Sequence, residues 1–155
     1  MFPVLRRAAL VLGLSLLAAC ASPHVDEAKA SQSEIHRGET PEIHALINKA
    51  ARDYGVPAAL IRRVVERESS YNPAARNGRY YGLMQILPGT AHTMGYNGPD
   101  RGLLDASTNL TYGVKYLRGA WLLSHGNYDT AMMWYARGYY YEARRRGMLA
   151  QVGMH

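Results

Sequence analysis

Two carboxylates that lie close together in the sequence, Glu66 and Glu68, are the first candidates for acid–base chemistry. Glu68 follows Val64 by four residues, so on a helix it extends an apolar face. Glu66 comes four and three residues after Arg62 and Arg63, which is the pattern of an exposed ion pair. A carboxylate at the end of an apolar face is costly to ionise, which suits a general acid, but a buried structural Glu has the same pattern.

Few other side chains have the spacing that catalysis or metal binding needs. Asp100 and Asp105 fall in a stretch rich in Gly and Pro and are the candidates for a second carboxylate. Asp105 and Asp129 are also expected to cap helices. No two of the six histidines lie four residues apart and the chain has one Cys, so we predict no zinc site. Because no Gly-rich phosphate-binding loop is present either, we predict no cofactor.

The composition is that of a folded, mildly basic chain. Hydrophobic residues make up 48% of the 155 residues, which excludes a wholly disordered protein. The net charge of +6 favours an anionic partner, but no nucleic-acid-binding motif is present, so we predict that nucleic acid is not the partner. The 12 Tyr against one Phe offer flat apolar faces with polar tips, which suit carbohydrate clefts and ordinary wet surfaces alike.

The N-terminus has the pattern of an export signal. Arg6 and Arg7 precede an uncharged apolar run at residues 8–17, which is too short for a comfortable transmembrane helix. The run ends in Leu-Ala-Ala-Cys, which resembles the bacterial lipobox and implies that Cys20 is acylated after residues 1–19 are removed. A plain secretory signal with a passive Cys20 is the alternative. Since Ala21 rather than Asp follows, the resemblance favours an anchor in the outer membrane facing the periplasm.

The rest of the chain predicts a tether and one all-α domain. Residues 20–39 are short of apolar side chains and are interpreted as the tether, and residues 40–150 as the domain. Caps, breakers and apolar spacing predict a series of helices, and no segment alternates as a strand. The helices are expected at residues 41–54, 57–71, from Pro88, 109–124, 130–135 and 139–146. Residues 74–106 are otherwise predicted to be irregular.

Four short motifs occur in a defined order along this domain. They are ESSYNP at residues 68–73, GLMQI at 82–86, NLTYGVKYL at 109–117 and WYARG at 134–138. Together the motifs resemble the soluble lytic transglycosylase family, whose catalytic domain is similar to goose-type lysozyme. The resemblance runs from about Val56 to Arg146, and it implies a small lysozyme-like helical domain with an irregular segment lining its cleft.

The resemblance also implies a reaction and a set of site residues. Glu68 matches the family's single catalytic Glu, which would cleave peptidoglycan glycan strands between N-acetylmuramic acid and N-acetylglucosamine, without water, to give 1,6-anhydro ends. Tyr135 matches a Tyr that lies close to the Glu and orients it. Gly82 matches a position where the backbone comes close to sugar or to the catalytic helix, which suits Gly. The implied substrate-binding residues are Ser69, Gly82, Met84, Gln85 and Tyr135.

The departures from the family pattern leave alternatives open. Ala136 and Arg137 replace the usual Asn and Ala, and Arg79-Tyr80 replaces a frequent Gly-Ala. These changes put substrate fit in doubt, and Arg137 either contacts an anionic peptide stem or is simply solvated. A hydrolytic muramidase that uses a second carboxylate is one alternative function. A weakly active, wall-binding adaptor of an envelope assembly is the other. The membrane partner is reached through Cys20, and protein partners are unknown.

Overall fold

The computed structural model describes residues 35–154, which form a mainly α-helical domain. The predicted signal peptide and the lipidated Cys20 lie outside the described residues. The described chain contains six α-helices, a 3₁₀ turn and a two-stranded hairpin, in the order α1 (Pro41–Tyr54), α2 (Ala58–Ser69), β1 (Arg76–Asn77), β2 (Tyr80–Tyr81), α3 (Pro88–Thr93), the 3₁₀ turn (Asp100–Leu104), α4 (Ala106–Leu123), α5 (Tyr128–Arg137) and α6 (Tyr140–Arg145). The all-α fold class is confirmed.

The first two helices begin and end where local signals place them. The Thr40 hydroxyl accepts a hydrogen bond from the backbone N–H of Ile43 at 3.2 Å, and Pro41 is the first residue of α1. Gly55 ends α1 in the left-handed conformation, with φ of 62°. Ser70 and Tyr71 are also left-handed, with φ of 48° and 64°, so α2 ends at the residue after Glu68.

The hairpin and two helix starts differ from the sequence predictions. Each strand has two residues, too few for an alternating pattern to be visible. Helix α4 starts three residues early because the Asp105 carboxylate accepts from the N–H of Thr108 at 2.7 Å, which confirms this cap. Helix α5 is capped by Asn127. The prediction that Asp129 caps it is wrong, because that carboxylate pairs with Arg63 at 2.8 Å.

The core has a main part between the long helices and a smaller part under the irregular segment. Helix α4 packs against both α1 and α5, and α1 packs against α2. The α2 face with Leu60, Ile61, Val64 and Val65 is fully buried, so the helix that carries Glu68 is held rigidly. The smaller cluster consists of Tyr81, Ile86, Ala91, Tyr96 and Leu103. No helix of the described residues is long and apolar enough to cross a membrane.

A buried polar cluster joins the start of the domain to α2. The Arg62 guanidinium donates through Nε to Glu39 Oε1 at 3.1 Å and through Nη2 to Asn48 Oδ1 at 2.9 Å. It also lies 3.0 Å from His44 Nδ1. The predicted ion pair of Glu66 with Arg62 and Arg63 is therefore wrong, because Arg62 is buried against Glu39 and Arg63 pairs with Asp129. The fold includes Glu39, which lies in the segment predicted as the tether and whose side chain is fully buried.

Candidate active site

Glu68 lies one residue before the end of α2, beside an Arg that the sequence analysis missed. Both Nη2 and Nε of Arg67 donate to the same carboxylate oxygen, Oε1, at 2.6 and 3.0 Å. The Glu68 side chain is 24% exposed, so it is less buried than the apolar face predicted. Adjacent residues do not ordinarily face each other on a helix, and the spacing therefore gave no signal for this pair. The contact leaves Oε2 of Glu68 without a partner among the described residues.

Tyr135 connects α5 to the segment that contains Met84. Its side chain is buried, and its hydroxyl donates to the backbone carbonyl of Met84 at 2.8 Å. Burial raises the pKa of this hydroxyl well above its usual value, and the nearby charge of Glu68 raises it further. Tyr135 therefore stays protonated beside the Glu68 carboxylate, as a neutral hydrogen-bond donor.

Ser69 fixes the end of α2 to the turn at residues 82–85. Its hydroxyl lies 2.8 Å from the carbonyl oxygen of Leu83 and 3.1 Å from that of Val65. Its contacts show that it holds Glu68 in place relative to the turn.

The turn itself is held by Asn109, a residue of the third motif to which the sequence analysis gave no role. Asn109 is fully buried, accepts from the N–H of Met84 at 2.8 Å, and donates to the carbonyls of Tyr81 and Leu103 at 2.7 Å each. Gly82 has φ of 71°, and a Cβ there would overlap Asn109 and lie 2.5 Å from the Leu103 carbonyl. The close approach at Gly82 is thus to α4 and the 3₁₀ turn, not to α2, the helix that carries Glu68.

Met84 and Gln85 have different places in this turn. The Met84 side chain is fully buried against Gly113, so the predicted contact of this side chain with sugar does not fit its position. Met84 contributes its backbone, which bonds to Asn109 and Tyr135. Gln85 is left-handed, with φ of 46°, and its amide donates to the carbonyl of Gly82 at 2.9 Å. Its side chain therefore braces the turn from the solvent side.

A cleft of about 340 Å³ lies between this turn and α5. Its wall includes Tyr80, Gln85, Thr90, Tyr116, Tyr135 and Arg137. Gln85 and Tyr135 are the predicted site residues that line the cleft, whereas Glu68, Ser69, Gly82 and Met84 lie outside its wall. Among the described residues, no Asp or Glu belongs to this wall.

The two candidates for a second carboxylate occupy other places. Asp105 is committed to the cap of α4, and its hydrogen bonds from Thr108, above all the backbone one, lower the pKa of its carboxyl. Asp100 is exposed at the start of the 3₁₀ turn. Residues 35–154 contain no group of three or more His, Cys, Asp or Glu side chains that could hold a metal ion.

Comparison with known families decides what kind of domain this is. The family described as "Transglycosylase SLT domain" matches residues 45–145, which is most of the described chain and includes all four motifs. The chain belongs to the SLT transglycosylase domain family. No solved structure matches the chain.

Relatives of this SLT domain carry the name "Membrane-bound lytic murein transglycosylase C". The protein from Haemophilus influenzae (strain PittEE) is 39% identical over 54% of this chain and 25% of its own length. The protein from Mannheimia succiniciproducens is 36% identical over 52% of this chain and 24% of its own. The chain thus spans about a quarter of the length of the curated relatives it matches.

Proposed function

We propose that this SLT domain is a lytic transglycosylase that cleaves peptidoglycan glycan strands, with Glu68 as its single acid and base. The observation that carries the proposal is that Ser69, the residue after Glu68, and Tyr135, which lines the cleft, bind the carbonyls of the adjacent residues Leu83 and Met84. Family membership and the printed names of the relatives support the reaction and the substrate.

In the proposed reaction, one carboxyl group carries the proton in both directions. Protonated Glu68 donates to the glycosidic oxygen between N-acetylmuramic acid and N-acetylglucosamine, and the bond from that oxygen to the muramic C1 breaks. The N-acetyl carbonyl of the substrate stabilises the positive C1. Glu68, now a carboxylate, then accepts the proton of the muramic C6 hydroxyl as that oxygen bonds to C1. The product is a 1,6-anhydro sugar, no water is consumed, and the tethered nucleophile has an entropic advantage.

The residues around Glu68 have different roles in positioning its carboxyl group. Arg67 binds Oε1, so Oε2 is the oxygen proposed to exchange the proton with the substrate. Ser69 fixes α2 to the turn through the carbonyl of Leu83, and Tyr135 fixes α5 to the same turn through the carbonyl of Met84. Because such positioning bonds are made by the folded chain, no reorganisation is needed when the sugar enters.

A hydrolytic muramidase is the second candidate, and it needs another carboxylate to activate water. Asp105 does not suit this role because its carboxylate is bound by the N-terminus of α4. Asp100 is exposed at the start of the 3₁₀ turn, and the family's one-carboxylate reaction needs no second acid. We therefore favour the transglycosylase reaction.

We also propose that the domain works on a lipid anchor in the bacterial envelope. The supporting observations are the lipobox-like Leu-Ala-Ala-Cys sequence that ends at Cys20 and the words "membrane-bound" in the names of the relatives. Since Glu39 belongs to the folded domain and His36 donates its N–H to that side chain at 2.9 Å, the proposed tether joins Cys20 to Ile35. Attachment to the outer membrane, facing the periplasm, rests on the absence of Asp after Cys20.

Mass spectrometry of sugars released from purified peptidoglycan tests the proposed reaction. The wild type is expected to release 1,6-anhydromuramyl products, and Glu68→Gln is expected to release none. Glu66→Gln is the matched control, because Glu66 is exposed, lies two residues away and has no ion-pair partner among residues 35–154. Products with reducing, water-added ends would instead identify a muramidase. Binding to the wall without any product would identify the adaptor.

A further inference from the structure

A second depression, of about 490 Å³, adjoins the cleft. Its wall includes Trp134, Arg137, Tyr140, Tyr141, Glu142 and Arg145, and we refer to it as the aromatic depression. Arg137 and Gly138 belong to the walls of both the cleft and the aromatic depression, so the two adjoin at the end of α5. A ligand long enough to pass Arg137 and Gly138 would occupy both.

Arg137 is a cation without a counterion at the border between the two. Among residues 35–154, no carboxylate lies within ion-pairing distance of its guanidinium, which contacts Met133 Sδ at 3.8 Å and lies 6.0 Å from the centre of the Trp134 ring. By contrast, Arg145 is held by Glu142, whose Oε2 accepts from Nε at 2.8 Å. Arg137 therefore presents an unbalanced positive charge to whatever occupies the depression.

The aromatic residues give the depression a second chemical character. Tyr140 is 42% exposed and Tyr141 is 82% exposed, and their rings meet edge to face with centroids 5.4 Å apart. Tyrosine faces bind apolar groups while their hydroxyls remain hydrogen-bonded to water. The ligand that fits both features carries a carboxylate next to an apolar segment.

We infer that the aromatic depression binds the peptide stem of the glycan strand, with a stem carboxylate on Arg137 and the body of the stem on Tyr140 and Tyr141. This inference rests on the proposed function, since a strand in the cleft carries a stem on each N-acetylmuramic acid, attached through its lactyl group. Arg suits this role because its planar guanidinium binds a carboxylate through two parallel hydrogen bonds. The Ala136-Arg137 departure from the family motif is then a determinant of substrate choice.

The test compares glycan strands with intact stems and the same strands after an amidase has hydrolysed each stem from its lactyl group, which leaves a free lactyl carboxylate close to the sugar. Both substrates are assayed for kcat and KM with the wild type and with Arg137→Gln. We expect Arg137→Gln to raise KM for stem-bearing strands by roughly tenfold, at least five times more than for stem-free strands. Tyr141→Ser, at an exposed position that should not affect folding, is expected to shift KM in the same substrate-dependent direction.

Arg144→Gln is the matched control, because Arg144 is exposed, forms no ion pair among the described residues and belongs to neither wall. It is expected to leave the ratio of the two KM values unchanged. Equal effects of Arg137→Gln on both substrates, or no effect, would overturn the inference.

Binding to both substrates is also measured in the Glu68→Gln background. If the wild type cleaves neither substrate, the proposed reaction fails. The ratio of the two dissociation constants, with and without Arg137→Gln, then still decides whether the aromatic depression binds stems.

Discussion

The hydroxyl of Tyr135 donates a hydrogen bond to the carbonyl of Met84 at 2.8 Å, and this bond joins α5 to the turn beside Glu68. The N–H of the same Met84 is bound by Asn109 of α4. One peptide segment is therefore fixed from two helices, while Ser69 fixes it from α2 through Leu83. Glu68 is therefore positioned next to backbone groups of residue 84 that every substitution of Met84 except Pro would keep.

Tyr135→Phe is expected to lower kcat by roughly 10- to 100-fold, because small displacements of a catalytic group have effects of that size. The fold should lose only about 1 kcal/mol of unfolding free energy, the usual contribution of one hydrogen bond. Steady-state release of anhydro sugars and urea denaturation measure the two effects.

Tyr139→Phe is the control for this prediction. Its hydroxyl also donates to a backbone carbonyl at 2.8 Å, that of Tyr116, and it is similarly buried. We expect Tyr139→Phe to lose about as much unfolding free energy as Tyr135→Phe but to lose much less kcat. Equal loss of kcat in both variants would mean that Tyr135 acts through general packing and not through the Met84 carbonyl.

The helices and the position of Glu68 could be predicted from the sequence because local signals determine them. Thr40, Pro41 and Gly55 give the bounds of α1, and Asp105 caps α4 as expected. The family motifs predict that Tyr135 lies close to the Glu, and in the structure Tyr135 binds the turn that Ser69, the residue after Glu68, also binds. These features depend on caps, breakers and short motifs, which are local in the chain.

What the sequence did not reveal depends on contacts between distant residues. The side chain of Arg62 looks exposed by its spacing, but it turns toward Glu39, which is 23 residues away, and is buried. The Met84 side chain lies in the core, while its backbone reaches the site. The packing of α4 and α5 decides which side chains of the short turn at residues 82–85 are buried. The sequence of such a turn has no periodic pattern from which its buried face could be predicted.

Glu39→Ala is expected to lower the free energy of unfolding by about 3–5 kcal/mol, because it leaves the charge of Arg62 buried without its partner. Urea denaturation measures the loss. Asp53→Asn, which removes an exposed ion pair with Lys49 in the same domain, should change the free energy of unfolding little.

Truncation of the chain tests the same contact. A chain that starts at Thr40 should be destabilised like Glu39→Ala, whereas one that starts at Ile35 should not. Equal stability of the two truncated chains would place the domain boundary at residue 40.

The domain is expected to lose stability at alkaline pH through its buried tyrosines. Burial raises the pKa of Tyr71 and of Tyr116 to about 12 and raises those of Tyr135 and Tyr139 further. Since the folded pKa lies above the usual value near 10, the unfolded chain releases these protons first. Their contribution to stability is complete below about pH 10 and is lost as the pH rises toward 12. Urea midpoints measured from pH 7 to 12 should therefore fall steeply above pH 10.

Tyr71→Phe tests the origin of that loss at one residue. The Tyr71 hydroxyl is buried and has no hydrogen-bond partner among the described residues, so its removal should change stability little at pH 7. The same removal takes away one of the groups that titrate between pH 10 and 12, so the variant should lose stability less steeply there than the wild type. Tyr139→Phe should instead be less stable than the wild type already at pH 7, because it loses the bond to Tyr116. Parallel pH curves for wild type and Tyr71→Phe would show that ionisation of Tyr71 is not coupled to unfolding.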